Sequence, residues 1–264
     1  MTPAELRAAM LKLPEPITEM KPPHWEYWKW DLWKRVTSGE NPNRFMDWPP
    51  IYHCMLVAHW PNALEYEFNA LPDDKLWGKA IEGIVPNSQK DWYKGDHTYS
   101  MNLTHQAYHL HRFQMVAGKQ IADMEIIVEI GGGYGAMALV ARRLGFKGKY
   151  VIYDLPEFSL LQQWYLSQVG IEGVEFVTEL PKKSILVDLL IGVYSLSEMP
   201  IELRNNIISK WVPYNYLFLY SQNWVDYDNK EYFQTGLTSH MKWKHEEIQH
   251  LPDNGNWYTW GWKE

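Results

Sequence analysis

The chain has 264 residues, a formal net charge of −7, a single cysteine, and 15 tryptophans against 8 phenylalanines. That length suits one large domain, or a domain of about 140 residues with a helical addition. The acidic balance lacks the basic footprint that grips phosphate backbones, so a nucleic-acid partner is not expected. No run reaches about 18 uncharged apolar residues, so no membrane partner is expected either, and the acid-containing start MTPAELRAAMLKL reads as a helix rather than a signal peptide. Lone Cys54 rules out an internal disulfide and fits a reducing, cytoplasmic location. Tryptophan combines a large apolar face with one N–H donor, so its abundance points first to packing and second to stacking on ring-shaped ligands.

Thr2-Pro3-Ala4-Glu5 is a capping box with proline at the first helical position, which predicts a helix to about Leu13, ended by Pro14, Pro16, Pro22 and Pro23. Trp25, Trp28, Leu32 and Val36 recur at helical spacing, and Ser38-Gly39 with Pro42 closes that helix. Residues 40–95 read only as helical or irregular. Residues 1–99 carry no chemical motif and are expected to form a helical lid or a subunit contact, compatible with a homodimer. Ser100–Gly118 forms a stronger helix, with Leu103, Ala107, Leu110, Gln114 and Ala117 on one stripe. His105, His109 and Arg112 lie opposite, on a face that is either solvated or turned toward a cleft. The His105/His109 pair lacks a third ligand at metal-binding spacing, so no metal is assigned.

The segment Ile126–Ala136, IIVEIGGGYGA, is the organising stretch: a buried strand enters a glycine-rich turn and then a helix over Tyr134–Leu144, stopped by Gly145. Strand, glycine turn and helix open a doubly wound α/β domain whose ligand site lies at the carboxyl ends of the strands. Further strands are predicted at Lys149–Tyr153, Val174–Val177, Val187–Tyr194 and Tyr216–Tyr220, with helices at Pro156–Val169 and Pro200–Trp211. Met241–Leu251 and Trp257–Trp262 alternate around Pro252-Asp253-Asn254-Gly255, which predicts an antiparallel hairpin at the sheet edge.

Two cofactors compete for the glycine turn, because Gly131-x-Gly133-x-x-Ala136 also satisfies the dinucleotide pattern of NAD enzymes. Glu129 would repel a pyrophosphate but could accept from a cationic amino-acid ligand. Asp154, at the end of the second strand, can bind the ribose of either cofactor.

The runs VEIGGGYG, YVIYDLPE, DLLIGVYSLSEMP and LYSQNW resemble a class I S-adenosylmethionine-dependent methyltransferase, most closely the sugar O-methyltransferases of bacterial polysaccharide gene clusters. The resemblance covers residues 100–264. It implies a Rossmann-like, mostly parallel sheet with an antiparallel hairpin at the edge, carrying a helical N-terminal extension. It also implies S-adenosyl-L-methionine as cofactor, with Glu129, Gly131, Gly133 and Gly135 on the methionine side, Asp154 and Leu155 on the ribose and adenine side, and Thr178 or Glu179 bordering the adenine. The Asp154-Leu155-Pro156 triplet is also similar to methyltransferases of phenols, which place a His-Asp pair after strand four. Here Ser197-Glu198 stands there, so the acceptor expected is a small molecule or saccharide, with a sugar hydroxyl ahead of a phenol.

A sugar hydroxyl needs a general base within reach. Glu198 and His109 are the candidates, and Asn223, after strand five, is the candidate substrate contact. His97, His240, His245 and His250 read as surface or packing residues.

Overall fold

The computed structural model describes all residues except 18, 20–23, 57–59, 84–90, 95–96, 225–226, 238–239 and 264. Pro22 and Pro23, expected to help end the first helix, lie outside the described residues, as does the side chain of His97.

Short helices make up most of the described first third. α1 (Pro3–Met10) starts in the expected capping box, Glu5 N–H donating to Thr2 and Thr2 N–H to Glu5. α2 (Trp25–Ser38) stops at Gly39, whose φ of 88° suits glycine. α3 (Pro49–Tyr52) and α4 (Pro61–Ala70) both begin at proline, and α5 (Lys75–Ile81) begins at Asp74, which accepts from the N–H groups of Leu76 and Trp77. A hairpin of β1 (Asp91–Lys94) and β2 (His97–Ser100) follows, where the sequence reads only as helical or irregular. Four-residue strands are too short for alternation to register. α6 (Met101–Ala117) then ends at Gly118.

The remaining chain builds the α/β unit from β3 (Ile126–Ile130), α7 (Ala136–Arg143), β4 (Lys149–Tyr153), α8 (Pro156–Gln168), β5 (Val174–Val177), β6 (Ile185–Val193), α9 (Ile201–Lys210) and β7 (Trp211–Ser221). A two-stranded ribbon, β8 (Asn223–Trp224) and β9 (Tyr227–Asp228), leads through α10 (Asn229–Thr235) to β10 (Lys242–Glu247) and β11 (Asn256–Trp262). Seven strands form one sheet in the order β5-β4-β3-β6-β7-β11-β10. β3 to β7 are parallel and β11 runs antiparallel to both β7 and β10, which is the mostly parallel sheet with a hairpin edge that the sequence predicts. β7 starts earlier than expected because Trp211–Asn215 pairs with Ile185–Leu189.

Period-two alternation divides the sheet between two cores. Ile127, Ile152, Leu189, Ile191, Leu217 and Leu219 face α6, α7 and α8, while Val128, Ile130, Val151, Leu190 and Phe218 face Ile207 of α9 and Phe233 of α10. Burial on both faces explains why these strands read as continuous apolar runs, and each buried aliphatic side chain contributes about 1.5–3 kcal/mol. The N-terminal helices add a layer outside the first core: α1 and α2 pack on α8, α4 on α6, and α5 on α6 and α7. That layer corrects one expectation. The face of α6 bearing His105 and His109 is not solvated; the two rings are 3% and 1% exposed, because α4 and β11 close over them. No helix among the described residues is long and apolar enough to cross a membrane.

Candidate functional site at the carboxyl rim of the sheet

The turn between β3 and α7 adopts backbone angles that explain its glycines. Gly131, Gly133 and Gly135 have φ of 68°, 58° and 99°, a region in which a side chain is strained. Close approach adds a second requirement at Gly131, where a Cβ would lie 2.4 Å from Cβ of Ser195. Ser195, in the turn after β6, donates its hydroxyl proton to the carbonyl of Ile130. The glycine turn is thereby packed directly onto the segment that follows strand four of the parallel set.

Asp154, at the end of β4, is tied to the same turn. Its Oδ1 accepts from Leu155 N–H at 2.7 Å and its Oδ2 from the amide of Gln162 at 2.6 Å, and that amide also donates to Gly133 O at 3.0 Å. Burial raises Asp154 to about 7, against the opposing hydrogen bonds of Leu155, Gln162 and Gly132. The other amide atom, Gln162 Oε1, is buried with no hydrogen-bond partner in the protein. Thr178 and Glu179, beyond β5, are exposed, and Leu155 is half-buried.

Glu129 differs from expectation in its charge. It is 4% exposed, its Oε2 accepts from the Tyr150 hydroxyl at 2.8 Å, and burial raises it to about 8. A carboxyl that is mostly protonated at neutral pH neither repels a pyrophosphate nor neutralises an ammonium, so its charge does not discriminate between the two cofactors.

The turn after β6 carries the site's backbone strain. Tyr194, with φ 63° and ψ −36°, is the only non-glycine residue of positive φ among the described residues, a conformation costing on the order of 1–3 kcal/mol. Its phenol is raised by burial and by the neighbouring charges of Glu67, Asp253 and Glu198. Glu198 closes the turn and accepts from the indole N–H of Trp25 at 2.5 Å. Burial raises Glu198 to about 7, with the Trp25 hydrogen bond opposing. Fully buried Arg204 braces the turn, donating to Ser197 O and Met199 O at 2.7 Å each and to Asn229 Oδ1 at 2.7 Å.

His109 stands apart from this turn, in a buried chain of hydrogen bonds. Its Nδ1 faces the Tyr258 hydroxyl at 2.5 Å and its Nε2 faces Nε2 of His105 at 3.0 Å. His105 Nδ1 meets the Glu67 carboxylate at 2.8 Å, and His250 Nε2 meets it at 2.9 Å. His250 is therefore more than a surface residue. No group of three or more metal-type ligands converges among the described residues.

Asn223 is exposed and lines an open groove of about 410 Å³ with Ser221, Gln222, Glu247, Asn254 and Gly255. Its lining side chains are all polar and none is cationic. The groove lies at the end of β7, two strands from β3 and so about 10 Å from the glycine turn at ordinary strand spacing.

Glu67, Trp25, Tyr194 and Tyr258 escaped sequence reasoning. Their partners lie far away in the chain, Trp25 and Glu198 being 173 residues apart, and no local pattern marks such a pairing.

No known protein-family profile matches the chain, and no curated protein matches it. Solved structures with a similar sheet include an rRNA methylase from Streptococcus thermophilus (14% identity, 58% of this chain and 93% of that one, TM-score 0.44). They also include the N-methyltransferase NodS from Bradyrhizobium japonicum WM9 (13% identity, 61% and 95%, TM-score 0.47). A third is TrmK of M. capricolum in complex with S-adenosylhomocysteine (15% identity, 58% and 68%, TM-score 0.44). At such identities the likeness is one of architecture.

Proposed function

We propose that this chain is an S-adenosylmethionine-dependent methyltransferase that methylates a hydroxyl of a saccharide. The observation that carries this reading is the union of the glycine turn with Asp154 through Gln162, in a sheet whose reversed strand β11 sits between β7 and β10. Asp154 accepts from Leu155 N–H, the Gln162 amide and Gly132 N–H, and a carboxylate with about four lone-pair sites keeps one for a ribose hydroxyl. The unpartnered Gln162 Oε1 offers a further acceptor beside it. The backbone of Gly131–Gly135 would hold the methionine end, with Glu129 beneath it; Leu155 and Thr178 or Glu179 would border the adenine.

When bound, this cofactor supplies a methyl group on a sulfonium, whose displacement by oxygen leaves the bonding electron pair on sulfur. The chain must align the acceptor and receive its proton. Glu198 fits the second task, since a carboxyl near 7 can take a proton at neutral pH and still release it. The Trp25 indole fixes its orientation. The groove containing Asn223 and Glu247, rich in amides and free of cations, suits an uncharged polyol better than a flat phenol.

Titration calorimetry with S-adenosylhomocysteine and with NAD tests the cofactor. Micromolar binding of the homocysteine product and none of NAD is expected; the reverse overturns the reading. Methyl transfer to free hexoses, nucleotide-linked hexoses and catechols then tests the acceptor, and activity on catechols with none on any saccharide rejects the sugar assignment.

A further inference from the structure

β10 is the last strand of the sheet, and no strand among the described residues pairs with its outer side. Which of its peptide groups face outward follows from the ladder. Ile248 N–H donates to Asn256 O at 2.8 Å, one step beyond the paired residues Glu247 and Trp257. Hydrogen-bonded and non-hydrogen-bonded pairs alternate along an antiparallel ladder. Lys242, Lys244 and Glu246 therefore bond to β11, while the peptide groups of Trp243, His245 and Glu247 point away from it.

Side chains on both faces hold this edge in place. On one face Trp243 stacks on Tyr216 at 5.1 Å and lies parallel to His245, whose Nδ1 meets the Thr259 hydroxyl at 2.8 Å. On the other, Glu246 pairs with Arg112 at 2.5 Å and with Lys244 at 3.2 Å, and both cations lie over the Trp260 ring. A strand ordered in advance loses little freedom on pairing. Edge strands are ordinarily guarded by proline, a bulge, shortness or charge. β10 has six residues without proline and an unbroken register with β11, so its guard is charge alone.

That charge is ordered along the strand, with Lys242 and Lys244 in the first half and Glu246 and Glu247 in the second. An in-register parallel copy would set lysine against lysine, and an uncharged foreign strand would leave the charges without partners. An antiparallel copy related by a two-fold axis meets opposite charge. Because only odd-numbered residues present outward peptide groups, the axis must pass through a residue rather than between two. An axis at Trp243, Lys244, Glu246 or Glu247 opposes, respectively, Lys242 to Lys244, Lys244 to itself, Glu246 to itself or Glu247 to itself. The axis at His245 opposes no like charges. It sets Lys244 against the partner's Glu246 twice and uses all three outward peptides, Trp243 against the partner's Glu247 and His245 against itself at about 5.5 Å between Cα atoms. Burial holds His245 below the usual histidine range, so the facing rings are uncharged at neutral pH.

We propose that β10 is a self-association edge, through which two copies of this chain pair antiparallel about His245 and join their sheets into one. Self-pairing is isologous, each Lys244 meeting the partner's Glu246 and each Glu246 the partner's Lys244. An edge of six residues buries little surface, so the dimer belongs to the weak, micromolar class. Pairing also brings the partner's Trp243 beside Glu247, so that the second copy borders the groove containing Asn223. The pairing itself does not depend on the methyltransferase reading.

Sedimentation velocity of the full chain from about 1 to about 100 μM should show the 31.3 kDa species giving way to one of twice that mass. His245→Pro removes an outward N–H but no bond to β11, and should leave a folded monomer. Lys244→Glu and Glu246→Lys each oppose like charges twice and should weaken the dimer about tenfold. An equimolar mixture of those two variants should dimerise at least as tightly as the wild type, because one chain then carries acids at both positions and the other bases at both. Circular dichroism checks that each variant is folded. The Lys244 side chain is exposed, so the charge variants decide the matter even where the proline variant does not fold. A wild type that stays monomeric at every concentration, a dimer that persists in folded His245→Pro, or a mixture no tighter than its separate components overturns the proposal.

Discussion

The indole of Trp25 donates to the carboxylate of Glu198 at 2.5 Å, joining the N-terminal helical layer to the turn that follows β6. The ring of Trp25 also meets Phe158 edge-on at 5.6 Å, so the donor is held from two sides. Glu198→Gln keeps the shape and the Trp25 contact but removes the proton acceptor. Turnover is expected to fall about 10²-fold or more with S-adenosylhomocysteine affinity nearly unchanged. Trp25→Phe should lower turnover less, by about tenfold, because Glu198 stays but is free to rotate. Steady-state kinetics beside calorimetry checks both, and full activity in Glu198→Gln rejects its role as base.

Asp154 gives cofactor binding a pH dependence of known sign. Its free-protein value of about 7 means that acidification protonates it, and the protonated form offers ribose hydroxyls a poorer acceptor. S-adenosylhomocysteine affinity should rise roughly tenfold from about pH 6 to about pH 8 and then level off. Asp154→Asn should bind weakly with no such rise, which calorimetry at three pH values will reveal.

Glu129 makes an opposite statement about stability. Its folded value of about 8 lies above the ordinary 4.5, so the native state keeps a proton that the unfolded chain releases. The stabilisation is complete below the unfolded value and disappears as pH rises through about 8, at up to about 1.4 kcal/mol per pH unit. The melting temperature should therefore fall from about pH 6 to about pH 9. Glu129→Gln, which can still accept from Tyr150, should flatten that slope in thermal scans.

Two glycines of the turn separate conformational strain from steric conflict. Gly131→Ala combines a φ of 68° with a Cβ 2.4 Å from Ser195, and should cost about 2–5 kcal/mol. Gly133→Ala has a φ of 58° but meets only Met55 Sδ at 3.5 Å, an ordinary contact, and should cost about 1–2 kcal/mol. Urea denaturation of both variants measures the difference.

Arg204→Lys replaces a three-way fork by a single point charge. The carbonyls of Ser197 and Met199 and the side chain of Asn229 cannot all be reached by one ammonium, so stability should drop by about 2–4 kcal/mol. The turn carrying Glu198 should gain amide exchange before the rest of the sheet does, which hydrogen-exchange mass spectrometry resolves.

Local pattern by itself determined the α/β framework: the buried strand into Gly131–Gly135, the strand ends at Asp154 and Val177, and the hairpin around Asn254-Gly255. These features are legible because period, caps and turn chemistry act between residues a few positions apart. Tertiary structure alone decided that burial raises Glu129 to about 8, that His105 and His109 face each other inside the protein, that Trp25 reaches Glu198 and that Tyr194 is strained. Desolvation depends on what the rest of the chain lays over a group, and these hydrogen bonds form between residues brought together only when α2 packs on α8, α4 on α6 and α6 against β11.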